Sequence, residues 1–438
     1  MILRRTLPLV LSLGLLGLAA LPAGAATPDP KKLSSLGIGH VFVVNIENKT
    51  FDEAYVSNKN PYLPKQLRAQ GVLLRQYFGT AHLSLPNYIA ELSGQAPTKI
   101  NQSDCQIYMD VQPGAPGPMG QSIGDGCVYP ANVQTLPNQL TGKGLTWRGY
   151  MEDMGNDFAR EADRCGEPAN PTGAGFRDGT QTATAKDQYA ARHNPFVYFH
   201  SILDSPLCHQ RVVPLTALQT DLAKVETTAN YNVITPNLCN DGHDDPCVGK
   251  NLRGTQAGGL VSADYWLQKY VPVILSSPAF KKDGVLIVTS DESEATLTET
   301  DATACCNEQP GFNTPLPGIG GPGGGRIGTL VLGRCVKPGS TSDVPYNHYS
   351  MLRSVEDMFG ISTGGADGKG HLGYAGADGL APFGPDVFAG SCASAVRASP
   401  LRTVSKQLPR TGGLPVALAA LVLTGAALTG RSLLRKAS

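Results

Sequence analysis

Short, continuous apolar runs constrain the fold of this 438-residue chain more than any other feature of its sequence. Each run is rich in β-branched residues and lacks the polar alternation of a strand with one solvated face. Parallel sheets covered on both faces by helices produce such runs, so each is predicted to be a buried strand. The predicted strands are His40–Ile46, Phe196–Ile202, Tyr231–Thr235, Gly284–Thr289 and Ile327–Leu332.

Helical patterns lie between these runs. They cover Tyr62–Gln70, Ser262–Leu275 and Asn347–Phe359, and Pro272 is expected to interrupt the second of them. Strands that alternate with helices predict an α/β fold, a doubly wound sandwich around a mostly parallel central sheet.

The first 26 residues have the pattern of a secretory signal peptide. Arg4 and Arg5 form a short basic region, Leu7–Leu21 is apolar, and Ala23–Ala25 provides small residues for cleavage. The alternative is an N-terminal membrane anchor, but the apolar run is shorter than the roughly 20 residues that a helical span needs. We therefore expect a secreted protein.

Residues 408–438 resemble the cell-wall sorting signal of Gram-positive bacteria. The motif LPRTG at 408–412 precedes the apolar stretch Leu414–Thr429 and a basic tail. The resemblance implies cleavage by a sortase after Thr411 and attachment to peptidoglycan, which would place the protein in the cell wall. A plain tail anchor is the alternative, although the apolar stretch is short and contains Pro415. Residues 393–407 are predicted to be a linker.

Ten cysteines lie between the two terminal segments, and an even number predicts disulfides in a secreted chain. Cys105 with Cys127 and Cys239 with Cys247 are candidate local pairs, while the full pairing is not deducible from the sequence. Zinc binding is the alternative, but the chain has no C-x-x-C pair. The 36 basic and 36 acidic residues balance, and no basic block indicates a nucleic-acid partner.

Acidic and amide side chains follow three of the predicted strands. Glu47-Asn48 comes directly after the first, Asp291-Glu292 after the fourth, and the polar segment 237–245 after the third. In open α/β sheets, ligands bind at the carboxyl ends of the strands. Acids gathered there would repel one another unless a cation lay between them, and oxygen ligands suit hard divalent ions. For any single acid, a solvated loop position is the alternative.

Ser84 is predicted to lie just before a helix that runs through Ile89 and Leu92, with Pro86 tolerated in its first turn. A helix start offers free backbone N–H groups and a positive dipole end, which can bind an anion. The alternative is that Ser84 is only an N-cap. His348 begins another predicted helix, and taken alone it is more typical of a structural histidine.

Together these segments resemble the phosphoesterase family of secreted bacterial acid phosphatases and phospholipases C, part of the alkaline phosphatase superfamily. The resemblance runs from Gly39 to about Ile361, in the family's order, and implies an alkaline-phosphatase-like fold. The matching segments are ENKTFD at 47–52, LSLPNYIAELSG at 83–94, TPNLCNDGHD at 235–244, TSDE at 289–292 and NHYSMLRSVEDMFG at 347–360.

The resemblance also implies site residues. Ser84 matches the nucleophile. Two-zinc relatives have Asp-His where this chain has Asp291-Glu292, which favours a single, harder ion, with Ca, Mg, Mn and Zn all open. The implied metal ligands are Glu47, Asn48, Asp291 and Glu292. The implied phosphate-contacting or proton-transfer groups are Asp241, His243 and His348, and the implied substrate-binding residues are His82 and Asn87.

The resulting hypothesis is a hydrolase acting on phosphate esters, with its catalytic domain at 27–392. The preferred form is a metal-dependent phosphomonoesterase of the acid phosphatase type that works through a phosphoserine intermediate. A phospholipase C-type phosphodiesterase is the first alternative, although such lipases often carry further domains after the core. A non-catalytic surface binding protein is the second, and the intact set of acids, serine and histidines argues against it.

Overall fold

An eight-stranded sheet forms the centre of the molecule. The structure is a computed structural model, and it describes residues 33–169, 176–294, 301–306, 308 and 310–393. The strands lie in the order β8-β2-β7-β6-β1-β5-β3-β4. Their bounds are His40–Ile46 (β1), Val72–Leu74 (β2), Trp147–Met151 (β3), Val212–Pro214 (β4), Tyr231–Thr235 (β5), Gly284–Ser290 (β6), Thr329–Gly333 (β7) and Ser340–Ser342 (β8).

The sheet is mostly parallel. Strands β4, β3, β5, β1 and β6 pair in parallel, and β8 is parallel to β2. Strand β7 pairs antiparallel with both of its neighbours, so among these eight strands it alone runs in the opposite direction. The predicted α/β class with a mostly parallel sheet is therefore confirmed.

Helices connect the strands and are supplemented by short turns, including helical turns at Tyr62–Leu67 and Ala191–His193. In the part of the chain that the structure describes, three small two-stranded pairings lie outside the main sheet. The α-helices are Ser84–Ser93 (α1), Leu136–Gly142 (α2), His200–Leu203 (α3), Leu207–Arg211 (α4), Leu218–Asp221 (α5), Gly259–Ser276 (α6), Pro278–Asp283 (α7) and His348–Met358 (α8).

Both faces of the sheet are buried, which explains why its central strands are continuously apolar. In β1, Val41 and Val43 belong to one core cluster, whereas Phe42 and Val44 belong to the other. Helices α1 and α8 contribute to the first cluster, and α6 contributes to the second. Successive side chains of a strand point to opposite faces, so a strand covered on both sides must be apolar at every position.

The predicted strand Phe196–Ile202 is wrong. Its residues form a 3₁₀ turn, Pro195–Tyr198, followed by helix α3. Pro195 presets a helical φ angle at the first position of the turn. The aromatic residues that follow are buried as core, with Phe196 stacked on Trp147. A short apolar run shows that a segment is buried but does not distinguish a buried strand from a buried turn.

The predicted interruption at Pro272 is also wrong, because α6 continues through it to Ser276. A proline removes the hydrogen bond to the carbonyl four residues earlier, here that of Gln268. Both residues lie on the exposed face of the helix, where water can satisfy that carbonyl. The position of the proline on the helix surface therefore decides whether the helix continues.

The ten cysteines form five disulfides, as the even count predicted. The two candidate local pairs, Cys105–Cys127 and Cys239–Cys247, are both present. The remaining bridges are Cys165–Cys208, Cys305–Cys306 and Cys335–Cys392.

Removing the Cys335–Cys392 bridge by a double serine substitution is expected to lower the free energy of unfolding by about 4 kcal/mol, because the bridge closes a long loop in the unfolded chain. The pair is separated by 57 positions, whereas Cys239 and Cys247 are separated by 8. The same change at Cys239–Cys247 is expected to cost only about 2.5 kcal/mol. Denaturant unfolding of the two variants tests this order, and a larger loss for the shorter loop would contradict it.

The predicted signal peptide (1–26), the sorting signal (408–438) and all of the linker except Ala393 lie outside the described residues. Within the described part of the chain, no helix has the length and apolar character needed to cross a bilayer.

Candidate active site

The acid-bearing tips of β1, β5 and β6 lie side by side at the centre of the sheet. These three strands are neighbours and run parallel, so their carboxyl ends meet at one edge. The Glu47 amide donates to the Asp241 carbonyl at 2.9 Å, and the Asp291 amide donates to the Ile46 carbonyl at 3.1 Å. The backbone thus fixes the spacing between the three acidic tips.

Asn48 joins the tips of β1 and β6. Its backbone adopts a positive φ of 37°, a conformation that asparagine tolerates better than most residues. In this position its amide donates to Asp291 Oδ1 at 3.0 Å, and its side-chain Nδ2 donates to Glu292 Oε1 at 2.9 Å. The Glu47-Asn48 and Asp291-Glu292 pairs therefore form one contiguous buried cluster.

Ser84 faces this cluster. It is the first residue of α1 and only 5% exposed. Its hydroxyl donates to Glu47 Oε2 at 2.8 Å and lies 3.5 Å from Glu292 Oε1. A hydroxyl from a helix start and carboxylates from two strand tips therefore share one small volume.

The amides at the start of α1 are not free, in contrast to the sequence-based expectation of an anion site there. The Asp104 carboxylate accepts the Leu85 amide at 3.0 Å and also the Ser84 amide. Pro86 has no amide hydrogen. A carboxylate of the protein therefore occupies the position in which a bound anion was expected.

Asn87 holds the loop that precedes Ser84. Its Oδ1 accepts the amides of Thr80 and Ala81 at 2.8 and 3.0 Å, and its Nδ2 donates to the carbonyls of Ala81 and Leu83. The residue was assigned to substrate binding by resemblance. The structure places its amide group in contact with the backbone of residues 80–83.

His82 and His348 approach the cluster from two further elements. His82 Nδ1 contacts the Glu292 carboxylate, and its Nε2 lies 3.1 Å from the Asp301 carbonyl. His348, at the start of α8, directs Nε2 to the Asp291 carbonyl and Nδ1 to Glu91 Oε1 at 3.0 Å. Burial alone would lower the pKa of His348, but the Glu91 charge raises it above its ordinary value.

Asp241 and His243 lie at the tip of β5. Asp241 is fully buried, and its Oδ1 accepts the His243 amide at 2.9 Å. The His243 ring is more open, with 44% of the side chain exposed, and its Nδ1 lies 2.8 Å from Asp244 Oδ1. The hydrogen bond with Asp244 raises the pKa of His243 above its ordinary value.

Sequence reasoning missed His193 and Tyr88. His193 Nε2 lies 3.3 Å from Glu47 Oε2, and its Nδ1 lies 3.6 Å from Asp241 Oδ2. Tyr88 donates its hydroxyl to Glu47 Oε1 and stacks on the His193 ring at 5.4 Å. The available signal was a polar triplet, residues 192–194, before a proline. The wrong strand prediction for the next segment obscured it.

The acids of the cluster are held in an unfavourable electrostatic environment. Burial, together with the charges of Asp291 and Asp241, raises the pKa of Glu47 well above its ordinary value. Burial also raises the pKa of Asp291 to about 6 and that of Asp241 to about 7. Burial lowers the pKa of His193 well below its ordinary value, so its imidazole is neutral near pH 7. Strongly shifted groups that converge in this way are typical of functional sites.

The residues at the strand tips fit a divalent cation. Within the described residues, Asn48 Oδ1 and Asp291 Oδ2 are buried without a hydrogen-bond donor in normal geometry. Buried oxygens of this kind, among several carboxylates, are the donor set that hard cations prefer. No three His, Cys, Asp or Glu side chains of the described residues converge at metal-ligand spacing. The fit therefore depends on counting the Asn48 amide oxygen and the Ser84 hydroxyl among the donors.

A protein-family model for the phosphoesterase family matches residues 53–362, most of the chain. The chain belongs to the phosphoesterase family. The matched segment contains the serine, Asp241, His348 and the Asp291-Glu292 pair, and it begins just after Glu47-Asn48.

Curated relatives of this phosphoesterase include fungal acid phosphatases. A phosphate-repressible acid phosphatase of Penicillium chrysogenum is 23% identical over 350 residues, covering 78% of this chain and 65% of the relative. A phosphatidylinositol-3-phosphatase of Mycobacterium tuberculosis is 23% identical over 331 residues, covering 74% of this chain and 77% of the relative. The chain spans less than two thirds of the Penicillium enzyme and 61% of an Aspergillus fumigatus acid phosphatase.

Solved structures with a similar fold include a protein of the alkaline phosphatase superfamily from Vibrio parahaemolyticus, with 11% identity, a TM-score of 0.41 and coverage of 74% of this chain and 67% of that one. A lipoteichoic acid synthase of Listeria monocytogenes gives 11% identity, a TM-score of 0.45 and coverage of 84% and 80%.

Proposed function

We propose that this phosphoesterase is a metal-dependent phosphomonoesterase of the acid phosphatase type, with Ser84 as its nucleophile. The observation that carries the proposal is the 2.8 Å hydrogen bond from the Ser84 hydroxyl to Glu47, inside a cluster of buried acids at three strand tips. Family membership and the acid phosphatase relatives support the phosphate-ester chemistry.

The proposed cation site consists of Glu47, Asn48, Asp291 and Glu292, with the Ser84 hydroxyl as a further oxygen donor. When bound there, a divalent ion would offset the carboxylate charges and favour the deprotonated form of a neighbouring hydroxyl. The ion is left open among Ca, Mg, Mn and Zn, since carboxylate and amide oxygens accept each of them.

The proton transfers of the reaction are assigned to Glu47 and His243. Glu47 accepts the hydrogen bond of Ser84 at 2.8 Å and is placed to take its proton as the hydroxyl oxygen attacks phosphorus. The bond between phosphorus and the ester oxygen breaks, leaving a phosphoserine. His243, partly exposed and with a raised pKa, donates a proton to the departing alkoxide. A water molecule then hydrolyses the phosphoserine: its oxygen bonds to phosphorus as it gives a proton to His243, and the Ser84 oxygen leaves and takes its proton back from Glu47. Ester and water thus yield alcohol and phosphate.

His348 and His193 are proposed to support the strand-tip acids, which they contact, rather than to carry protons. His348 is fully buried and bonded to Glu91 and to the Asp291 carbonyl. His193 lies between Glu47 and Asp241, 3.3 Å from one carboxylate and 3.6 Å from the other.

Chelation of the purified protein with EDTA is expected to lower hydrolysis of p-nitrophenyl phosphate by about 100-fold or more, and adding back the correct divalent ion is expected to restore it. The ion at 100 times its dissociation constant is also expected to stabilise the fold by about 2.7 kcal/mol. Metal analysis before and after chelation identifies the ion. Full activity in protein shown to be free of metal would contradict metal dependence.

A lipid phosphate ester is the second candidate substrate, in place of a small monoester. Three exposed apolar residues, Phe312, Leu316 and Ile319, are 50%, 47% and 55% exposed and lie close together in sequence. The same segment touches the site, because the Pro317 carbonyl accepts the His82 amide at 3.0 Å. The name of the Mycobacterium relative points in the same direction.

Rates on p-nitrophenyl phosphate, phosphatidylinositol 3-phosphate and phosphatidylcholine vesicles separate the candidates. The preferred function predicts the highest kcat/KM on the soluble monoester. A preference for the inositol lipid would favour the second candidate, and cleavage of phosphatidylcholine would indicate a phospholipase C-type diesterase. Ligand binding without turnover on any substrate would indicate a binding protein.

We also propose secretion and sortase-mediated attachment to peptidoglycan. The proposal rests on the sequence patterns at 1–26 and 408–438. Expression in a Gram-positive host with and without sortase tests it, since release of the protein by muramidase only when sortase is present is the expected result. Equal release in both strains would contradict it.

A further inference from the structure

Asp104 and Arg192 lie outside the cluster of strand-tip acids but touch the start of the nucleophile helix. Asp104 is 20 residues beyond Ser84 in the sequence and nevertheless caps α1. Leu83, the residue before the helix, provides no side-chain cap. The first turn of α1 is therefore held by a distant carboxylate.

The position of Asp104 is itself tightly specified. It adopts a left-handed φ of 56°, and the next residue, Cys105, is fixed by its disulfide to Cys127. Its carbonyl accepts a hydrogen bond from Gln181 Nε2 at 2.6 Å. A carboxylate at a helix start interacts favourably with the helix dipole, so this cap both orients α1 and satisfies its amides.

Arg192 supplies the opposite charge. Its Nε lies 3.8 Å from Asp104 Oδ2, and the two side chains are only 12% and 13% exposed. Its Nη1 donates to the Gln181 carbonyl at 3.2 Å, which links it to the residue that bonds Asp104. Arg192 is also adjacent in sequence to His193, which touches Glu47 and Asp241.

We propose that Asp104 and Arg192 form a positioning pair that fixes the Ser84 end of α1 relative to the strand-tip acids. The effect of this pair on catalysis rests on the proposed function, in which Ser84 is the nucleophile. The pairing also implies that the first-turn amides of α1 do not bind the phosphoryl group, because Asp104 occupies them.

The positioning pair is tested by comparing kcat and KM of Asp104→Asn with those of Asp264→Asn, both in the full chain. Asp264 is a matched control, since it is 6% exposed and accepts the amides of Leu63 and Tyr62 at the start of another helical turn. Asp104→Asn is expected to lower kcat about tenfold with KM within threefold, because a misplaced nucleophile slows the chemical step more than binding. Asp264→Asn is expected to leave both constants unchanged. Wild-type kcat in Asp104→Asn, or an equal loss in both variants, would overturn the proposal.

Two further variants test the pairing. Asp104→Gly tolerates the left-handed backbone and removes the carboxylate, so kcat is expected to fall about 100-fold and to recover several-fold when formate fills the vacated position. In the double variant that combines Arg192→Met with Asp104→Asn, kcat is expected to fall no further than in the more impaired of the two single variants, because both changes remove the same interaction. Multiplicative losses in the double variant, or no response to formate, would contradict the pair.

Hydrogen exchange separates this inference from the proposed function. The peptide that covers Ser84–Ser93 is expected to exchange faster in Asp104→Gly than in wild type, and at the wild-type rate in Asp264→Asn. This result needs no catalytic activity. If wild type hydrolyses no phosphate ester, the proposed function fails, and unchanged exchange in Asp104→Gly would independently refute the positioning role.

Discussion

Ser84→Ala is expected to lower kcat for p-nitrophenyl phosphate by about 10⁴-fold or more, as loss of a covalent nucleophile does in other hydrolases. The hydroxyl oxygen is the atom that would receive the phosphoryl group, and it already donates to Glu47 at 2.8 Å. Phosphate-ester hydrolysis is among the slowest uncatalysed reactions, so water alone is a poor substitute for this oxygen.

A matched control is available on the same helix. Ser93 is also buried, and its hydroxyl bonds the Ile89 carbonyl at 2.8 Å, far from the acids at the other end of α1. Ser93→Ala is expected to keep kcat within about twofold, while it lowers the free energy of unfolding by about as much as Ser84→Ala does. Trapping of radioactive phosphate on wild type but not on Ser84→Ala provides a second readout. Wild-type turnover by Ser84→Ala would eliminate the covalent mechanism.

Glu47→Gln is expected to lower kcat by about 10³-fold and, in chelated protein, to raise the melting temperature. The activity falls because the variant loses the group that accepts the Ser84 hydrogen bond as a base. The stability rises because burial and the nearby charges of Asp291 and Asp241 disfavour the Glu47 carboxylate in the folded protein, whereas glutamine is neutral without binding a proton.

The control for Glu47→Gln is Glu356→Gln. Glu356 is another fully buried glutamate whose pKa burial raises, and it accepts the Leu372 amide at 2.9 Å. We expect Glu356→Gln to keep the stabilisation that added metal gives, whereas Glu47→Gln loses it. Thermal unfolding with and without metal measures both effects. An undiminished metal response in Glu47→Gln would exclude Glu47 from the cation site.

Asp291 and Asp241 are expected to make the stability of the chelated protein depend on pH. The folded-state pKa values of Asp291 and Asp241, about 6 and about 7, exceed the ordinary value for aspartate. At these two groups the folded state therefore binds more protons than the unfolded state between about pH 4 and pH 7, so the stability that they contribute is full at low pH and is lost as the pH rises through this window. A cation held by Asp291 in the proposed site would offset the part of this loss that Asp291 contributes, and melting curves across the pH range with and without metal measure it.

Much of the fold was predictable because a strand that is buried on both faces of a sheet has a continuous apolar sequence. The strands β1, β5, β6 and β7 were identified as continuous apolar runs, and the acid-bearing ends of β1, β5 and β6 were expected to converge. The strands β2, β4 and β8 were missed because each has only three residues, too few to show a pattern, and β3 was missed because Arg148 and Gly149 interrupt its apolar run.

Other features depended on surroundings that no local pattern reports. Pro272 continues a helix because it faces solvent. The anion site expected at the start of α1 is instead filled by Asp104, a residue whose role is invisible from its own neighbours in the sequence.

The sequence by itself determined the class of fold and which residue types collect at the strand tips, because strand periodicity and the order of motifs are local properties of the chain. Only the tertiary structure decided which side chains complete the site. His193, Tyr88 and Asp104 reach it from turns and helices far apart in the chain. Their contacts arise from tertiary packing between distant segments, and such contacts produce no regular spacing of residues in the sequence.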